Sequence, residues 1–355
     1  MHINELSKIL NQHFNFHKAR SDCLAQLVVA MITVKTVNFA HIATAFITKA
    51  FPESCYKRIQ RFFRFLKFDP LSVASMVLTL FDLKDKKLNL AIDRTNWKFG
   101  KIDINILMLT VVYKGIALPL MWSCLKKRGN SNTLERINLI KRILQLIGSK
   151  NIECLFGDRE FVGADWIQWL DDQGISFLFR IRNNSLLEGA VAIKDFFRRL
   201  PPSKKVKNGE TTLWEKNVYL STRWSYNKGE LVTLISNRKF RNPFQLYRRR
   251  WEIETFFGCL KKRGFCFEDT HLTHLPRIET LVFVLTVAFC WSHLVGEDKE
   301  AKTPIKTKSH GRKAKSTFRY GFDELRGIFL RLGEKFEDFV YCIKLLIING
   351  QLRGF

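Results

Sequence analysis

At 355 residues, the chain is long enough for about two domains, and with 46% hydrophobic and 26% charged residues it can bury a core, which excludes disorder for most of its length. Fifty-nine Lys and Arg against 33 Asp and Glu leave a net charge of +26, with an isoelectric point near 9.9. So basic a chain attracts polyanions: a DNA or RNA backbone first, an anionic membrane surface as the rival.

Residues 1 to about 80 carry helical spacing, with Leu24, Leu27, Val28 and Met31 recurring at intervals of three and four. Asn38–Lys49 and Glu53–Leu66 follow as two more helices around a Phe51-Pro52 break. The second is basic and aromatic together (Tyr56, Lys57, Arg58, Arg61, Phe62, Phe63, Arg64, Phe65). Two short helices ending in a basic one suit DNA binding; a basic helix packed on its neighbours is the alternative.

From Leu88 the pattern turns to strands: Leu88–Thr95, Ile104–Tyr113 and Ile116–Cys124, the last two separated by a Lys114-Gly115 turn. A helix fits Asn132–Ile147, closed by Gly148, and a strand fits Ile152–Phe156, running into Gly157-Asp158. Trp166–Leu170 marks another helix and Ile175–Ile181 a fifth strand. The order β-β-β-α-β-α-β predicts an α/β fold, a mixed sheet with helices on its faces. Residues 183–236 break this rhythm and read as a β-rich insertion. A long helix covers about Pro243–Arg263 and an apolar one Arg277–Leu294. Residues 296–317 read as a polar, basic loop, and amphipathic helix returns from Phe318.

These shifts divide the chain into a helical, DNA-binding 1–82, an α/β domain at 83–295 and a basic loop with C-terminal helices at 296–355. The eight cysteines are scattered singly, as reduced core residues. No signal peptide is evident, and the run Leu281–Trp291 is shorter than the ~18–20 residues of a membrane span. A cytoplasmic, nucleoid-associated protein with no membrane partner is the expectation.

Asp93 closes one apolar run and Asp158 follows another. Acids at neighbouring strand ends can converge on hard cations, although an aspartate there commonly serves as a turn residue or cap. Asp103, opening a strand, is a weaker substitute for Asp93. On a continuous helix Tyr247, Arg250, Glu254 and Lys261 fall within an arc of about 60°. Leu246, Ile253, Phe256, Phe257 and Leu260 take the adjoining arc, and Glu252 points elsewhere. The plain alternative is a solvated stripe with an Arg250–Glu254 pair. Cys259, Cys266, His271 and His274 crowd together, but their spacing fits no compact zinc finger.

Asp93 in AIDRT, Asp158 in FGDREF and Glu254 resemble the DDE triad of bacterial cut-and-paste transposases of the IS-four class. The spacing Tyr-x2-Arg-x3-Glu-x6-Lys is similar to that family's signature and is met by Tyr247, Arg250, Glu254 and Lys261. The resemblance runs from about Asp93 to Lys261 and implies an RNase H-like catalytic core. It further implies that Asp93, Asp158 and Glu254 hold two Mg2+ ions, Mn2+ substituting, for cleavage at transposon ends and strand transfer into target DNA. Tyr247, Arg250 and Lys261 would then grip phosphates. An aromatic of the inserted β region, Trp224 or Tyr226, would stack on a flipped base, and Arg159 and Glu160 would support the acids or form a salt-bridged turn. The partners implied are double-stranded DNA and a second copy of the chain. An RNase H-like nuclease or resolvase, or a DNA-binding remnant without activity, is the alternative.

Overall fold

The computed structural model describes residues 3–187, 191–197, 207–225 and 229–347. They form a mixed α/β structure whose eight strands join in one mixed sheet. The chain divides into two compact units: one gathers the described residues of Met1–Lys84, Asn96–Asn105 and Phe256–Phe355, the other those of Asp85–Thr95 and Ile106–Thr255. The first unit thus combines an N-terminal segment with the last third of the chain, a grouping different from the contiguous segments 1–82, 83–295 and 296–355.

The first unit is helical. Its N-terminal part holds α1 (Ile3–Phe14), α2 (Lys18–Val34), α3 (Phe39–Thr44), α4 (Pro52–Phe65) and α5 (Pro70–Leu80). Asn38 caps α3 through the Ala40 N–H, and Asp69 caps α5 through Leu71 and Ser72, with Pro70 at the first helical position. The helix expected over Asn38–Lys49 is shorter, for a physical reason. The buried Gln26 donates to the Ile47 carbonyl and accepts from the Ile47 N–H, both at 2.9 Å. These bonds satisfy the Ile47 backbone outside a helix.

The C-terminal part of this unit holds α11 (Leu275–Lys302), α12 (Thr317–Leu330) and α13 (Phe336–Lys344). α11 packs on α2, α4 and α12. Its 28 residues include a window long and apolar enough to cross a membrane by length and composition, more than the short run Leu281–Trp291 suggested, yet 94% of that window is buried inside the protein. The helix also takes 296–302 from the expected basic loop. Gly296 and Gly321 explain why: a Cβ on Gly321 would lie 2.2 Å from the Gly296 nitrogen, and one on Gly296 would lie 2.0 Å from the Thr317 carbonyl. α11 and α12 cross backbone to backbone there, and Lys299 pairs with Glu324 beside the crossing.

The second unit is built on the sheet, in the order β3-β2-β1-β4-β5-β8-β7-β6. The strands are β1 (Leu88–Phe99), β2 (Ile102–Tyr113), β3 (Ile116–Cys124), β4 (Ile152–Gly157), β5 (Phe177–Ile181), β6 (Lys207–Leu213), β7 (Lys216–Ser225) and β8 (Glu230–Ser236). The hairpin end at 96–105 counts with the first unit. β1, β4 and β5 run parallel; α6 (Thr133–Ile147) and α7 (Ala164–Asp172) lie in the two connections between them. An Asn132–Glu135 capping box starts α6 and Gly148 ends it. Among the described residues the β-rich insertion contains one helical turn, α8 (Ile193–Phe196), and its strand β8 pairs antiparallel with β5, so it widens the central sheet.

The long helix expected over Pro243–Arg263 is α9 (Pro243–Tyr247), a 3-10 turn at Arg248–Arg250 and α10 (Trp251–Leu260). It closes at Leu260, where Arg263 and Phe265 turn back to the carbonyls of Gly258 and Cys259.

Candidate active site and basic surfaces

The parallel register sets two carboxylates side by side. Leu90 pairs with Leu155 and Ala91 with Phe156, so the same offset brings Asp93 level with Asp158 just past the end of β4. Glu160 fixes this corner. Its carboxylate accepts from Arg94 Nε at 2.5 Å and from the Ser131 N–H and hydroxyl at 3.0 Å each. Its own N–H donates to Asp158 at 2.8 Å, and its carbonyl accepts from the buried Arg136. The Arg94 N–H in turn donates to Asp93 at 2.7 Å. One glutamate thereby holds the chain beside both aspartates.

The 3-10 turn and the start of α10 bring in the rest. Arg250 donates to Asp93 Oδ2 at 3.0 Å and contacts Glu254 at 3.5 Å. The Tyr247 hydroxyl donates to the Gly157 carbonyl at 3.2 Å, one residue before Asp158. Glu252, the weaker candidate by periodicity, accepts from the Tyr113 N–H at 2.9 Å and ties α10 to the β2–β3 turn. Burial pushes the Asp93 carboxyl up, as do the charges of Asp158 and Glu254, to about 7 against the pull of Arg250. Burial likewise raises the Tyr247 phenol to about 12, so it remains a neutral donor.

A cleft of about 630 Å³ opens beside these groups, lined among others by Asp158, Tyr247 and Arg250. Arg159, Arg180, Arg223 and Arg248 also line it. Burial lowers the Arg223 pKa and the neighbouring Arg248 charge adds to this, whereas Arg180 pairs with Glu230 at 2.9 Å. Sequence reasoning missed Arg180 and Arg223. The available signal was a cation inside each of two otherwise strand-like runs, FLFRI and YLSTRWS.

Lys261 and Trp224 are placed differently. Lys261 lies beyond the end of α10, in the helical unit, where it pairs with Glu268 at 2.8 Å and faces the Trp97 ring; it does not continue the helical stripe. Trp224 follows Arg223 on β7. Successive strand residues face opposite sides, so Trp224 points away from the cleft that Arg223 lines. Tyr226 lies outside the described residues. Asp103 pairs with Lys98 at 3.9 Å in the helical unit.

Among the described residues no three His, Cys, Asp or Glu side chains are grouped closely enough to hold a metal ion. This applies to the cysteine–histidine segment, where His271 stacks on Phe99, and also to the three acids, between which Arg250 sits. The acids nevertheless fit a hard divalent cation by donor chemistry, because they supply carboxylate oxygens, the ligands such an ion prefers.

The helical unit carries a second basic surface. Lys57, Gln60, Arg61 and Arg64 recur along the exposed face of α4, while Cys55, Ile59, Phe62 and Phe63 face its core. With His271 and Arg277 they line a cleft of about 610 Å³ whose lining, among the described residues, holds no carboxylate.

A family model described as Transposase DDE domain matches residues 84–291. No curated protein matches the chain.

Proposed function

The chain belongs to the transposase DDE domain family, whose activity is transposition-related DNA cleavage, and on that premise we propose that it is a cut-and-paste transposase of the IS-four class. It cleaves at the ends of its element and transfers the freed strands into target DNA. The observation that carries this reading is the level placement of Asp93 and Asp158 by the β1–β4 register, with Glu254 linked to Asp93 through Arg250.

Asp93, Asp158 and Glu254 would hold divalent ions, Mg2+ or Mn2+; when bound, these supply nucleophile activation and charge neutralisation at the scissile phosphate. The chain's own groups do the remainder. Glu160 and Arg94 orient the two aspartates, and Tyr247 fixes the helical edge to the end of β4. The arginines of the cleft attract the phosphate backbone and hold it by forked hydrogen bonds. Lys261 would join that grip only by leaving Glu268, and Trp224 would reach a flipped base only from the other side of its strand.

The α4 face supports a separate DNA contact in the helical part of the chain, because its stripe of long polar and basic side chains is suited to a duplex groove. Joining two element ends requires two active sites, so the working form would be a dimer on DNA. The same reading makes it a cytoplasmic, nucleoid-associated protein.

A plasmid carrying the DNA that flanks the gene on both sides tests the proposal. In Mg2+, wild-type protein is expected to break it at fixed positions on both flanks, and Asp158→Ala to leave it intact. Random breaks that vanish in the variant would favour a nuclease on the same core. Binding without cleavage would favour an inactive remnant.

A further inference from the structure

We propose that Arg250 is a resident counter-cation of the acidic site and makes entry of a divalent metal ion conditional on a DNA phosphate that draws its guanidinium away. The inference rests on the transposase reading above and concerns the regulation of that same site.

Three observations lead to it. Arg250 is 9% exposed, bonds Asp93 at 3.0 Å and reaches the same Glu254 oxygen with both terminal nitrogens at 3.5 Å. The acids of the site do not form a metal-ligating group, and the guanidinium lies between two of them. The same side chain also lines the cleft with Arg159, Arg180, Arg223 and Arg248, a wall of positive charge on the side from which a phosphate would approach.

A guanidinium keeps its charge at any pH relevant here. A metal ion entering between Asp93 and Glu254 would meet that charge at contact distance, so the arginine must leave first. In the apo chain no anion repays its departure. A phosphate in the cleft does, since it offers the paired oxygens that a planar guanidinium binds best. The apparent metal affinity is then the intrinsic affinity reduced by the small fraction of chains in which the site is vacated. Because coupling is reciprocal, metal strengthens DNA binding by the same factor. No bond is made or broken in this exchange; one cation replaces another on the carboxylates. A chain without DNA therefore carries no loaded cutting site.

The test is a Mn2+ titration of the purified full chain, followed by the electron paramagnetic resonance signal of free Mn2+, with and without a short duplex. Wild type, Arg250→Gln, Arg250→Lys and Glu254→Gln are compared after thermal unfolding shows each to be folded. Wild type is expected to bind Mn2+ at least about tenfold more tightly with duplex than without. Arg250→Gln is expected to bind at least about tenfold more tightly than wild type in the absence of DNA and to lose the dependence on duplex. Arg250→Lys keeps a positive charge in place and retains that dependence. Unchanged or weaker binding by Arg250→Gln overturns the proposal, and so does duplex-independent binding by wild type. Loss of Mn2+ binding in Glu254→Gln alongside such a result leaves the metal-site reading standing. Glu254→Gln binding Mn2+ as wild type does with duplex overturns both.

Discussion

Arg250 and Asp93 lie 157 residues apart in the chain and meet at 3.0 Å. Asp93 is 14% exposed and Arg250 11% by side chain, so neither is freely hydrated. The pair joins the interior strand β1 to the helical edge that carries Glu254, and it sets the charge of the site before any ligand arrives.

Glu254→Gln removes one carboxylate charge and keeps the side chain's size. Glu254 is 41% exposed, so the folded state should tolerate the change. The expected outcome is unaltered duplex binding in a metal-free mobility-shift assay, with cleavage of the flank-bearing plasmid in Mg2+ lowered at least about a hundredfold, the order of effect of losing a strong transition-state interaction. Normal cleavage would remove Glu254 from the catalytic set.

Gly157 has no room for a side chain. A Cβ there would lie 2.8 Å from Phe161 Cβ and 3.1 Å from the Phe179 ring. Gly157→Ala is expected to lower the unfolding free energy by about 1–3 kcal/mol through overpacking. It should also displace the adjoining Asp158, so cleavage falls further than the change in folded fraction explains. Urea melts and the plasmid assay measured on the same preparation separate the two losses.

Glu160→Ala removes the carboxylate that Arg94 Nε meets, in a corner where the pair is 13% and 11% exposed. The expected cost is about 3 kcal/mol, the range for breaking a largely buried pair by removing one partner. Glu160→Gln keeps an acceptor for Ser131 and should cost less. Equal urea midpoints for wild type and both variants would show that this corner is held by other groups.

Stability of the helical unit should fall with acidity in two stages. Burial lowers the His13 pKa, against its bond to the Leu346 carbonyl. A depressed imidazole loses stability as pH drops below its unfolded value near 6.5. Asp22 and Asp323 work against burial, which favours their neutral forms, through Lys18 and Ser7 and through Lys315 and Arg319, and both lie below the ordinary carboxyl value of 3.8. Their contribution is present above that value and is lost as pH falls through the folded value. The melting temperature is expected to decline first below about pH 6.5 and again below about pH 4. His13→Gln, which retains a donor for Leu346, should remove the first decline.

Elements with their own punctuation were legible in the sequence. β3 follows the Lys114-Gly115 turn and α6 lies between Asn132 and Gly148, so local chemistry marks their ends. Elements bounded by distant partners were not. α3 stops because Gln26 claims the Ile47 backbone, and α11 runs on because it meets α12 at Gly296 and Gly321. At the site, an acid closing an apolar run was enough to single out Asp93 and Asp158, but only Asp158 stands at a strand end: β1 continues past the expected Thr95 to Phe99 and leaves Asp93 inside it. The turn of Arg250 onto Asp93 follows from tertiary pairing alone and no periodicity shows it. Lys261 falls on the stripe only along one unbroken helix, whereas α10 ends at Leu260.

The helical unit takes its first five helices from the start of the chain and three more from its end; α1 packs on α13, and α2 and α4 pack on α11. During synthesis the early helices therefore emerge well before their partners α11 and α13. α4 is met at once by α2 and α3, but the surfaces that α2 and α4 turn to α11 stay uncovered until that helix has been made. A product of premature termination that lacks α11 therefore exposes apolar surface on the early helices, which invites aggregation or proteolysis.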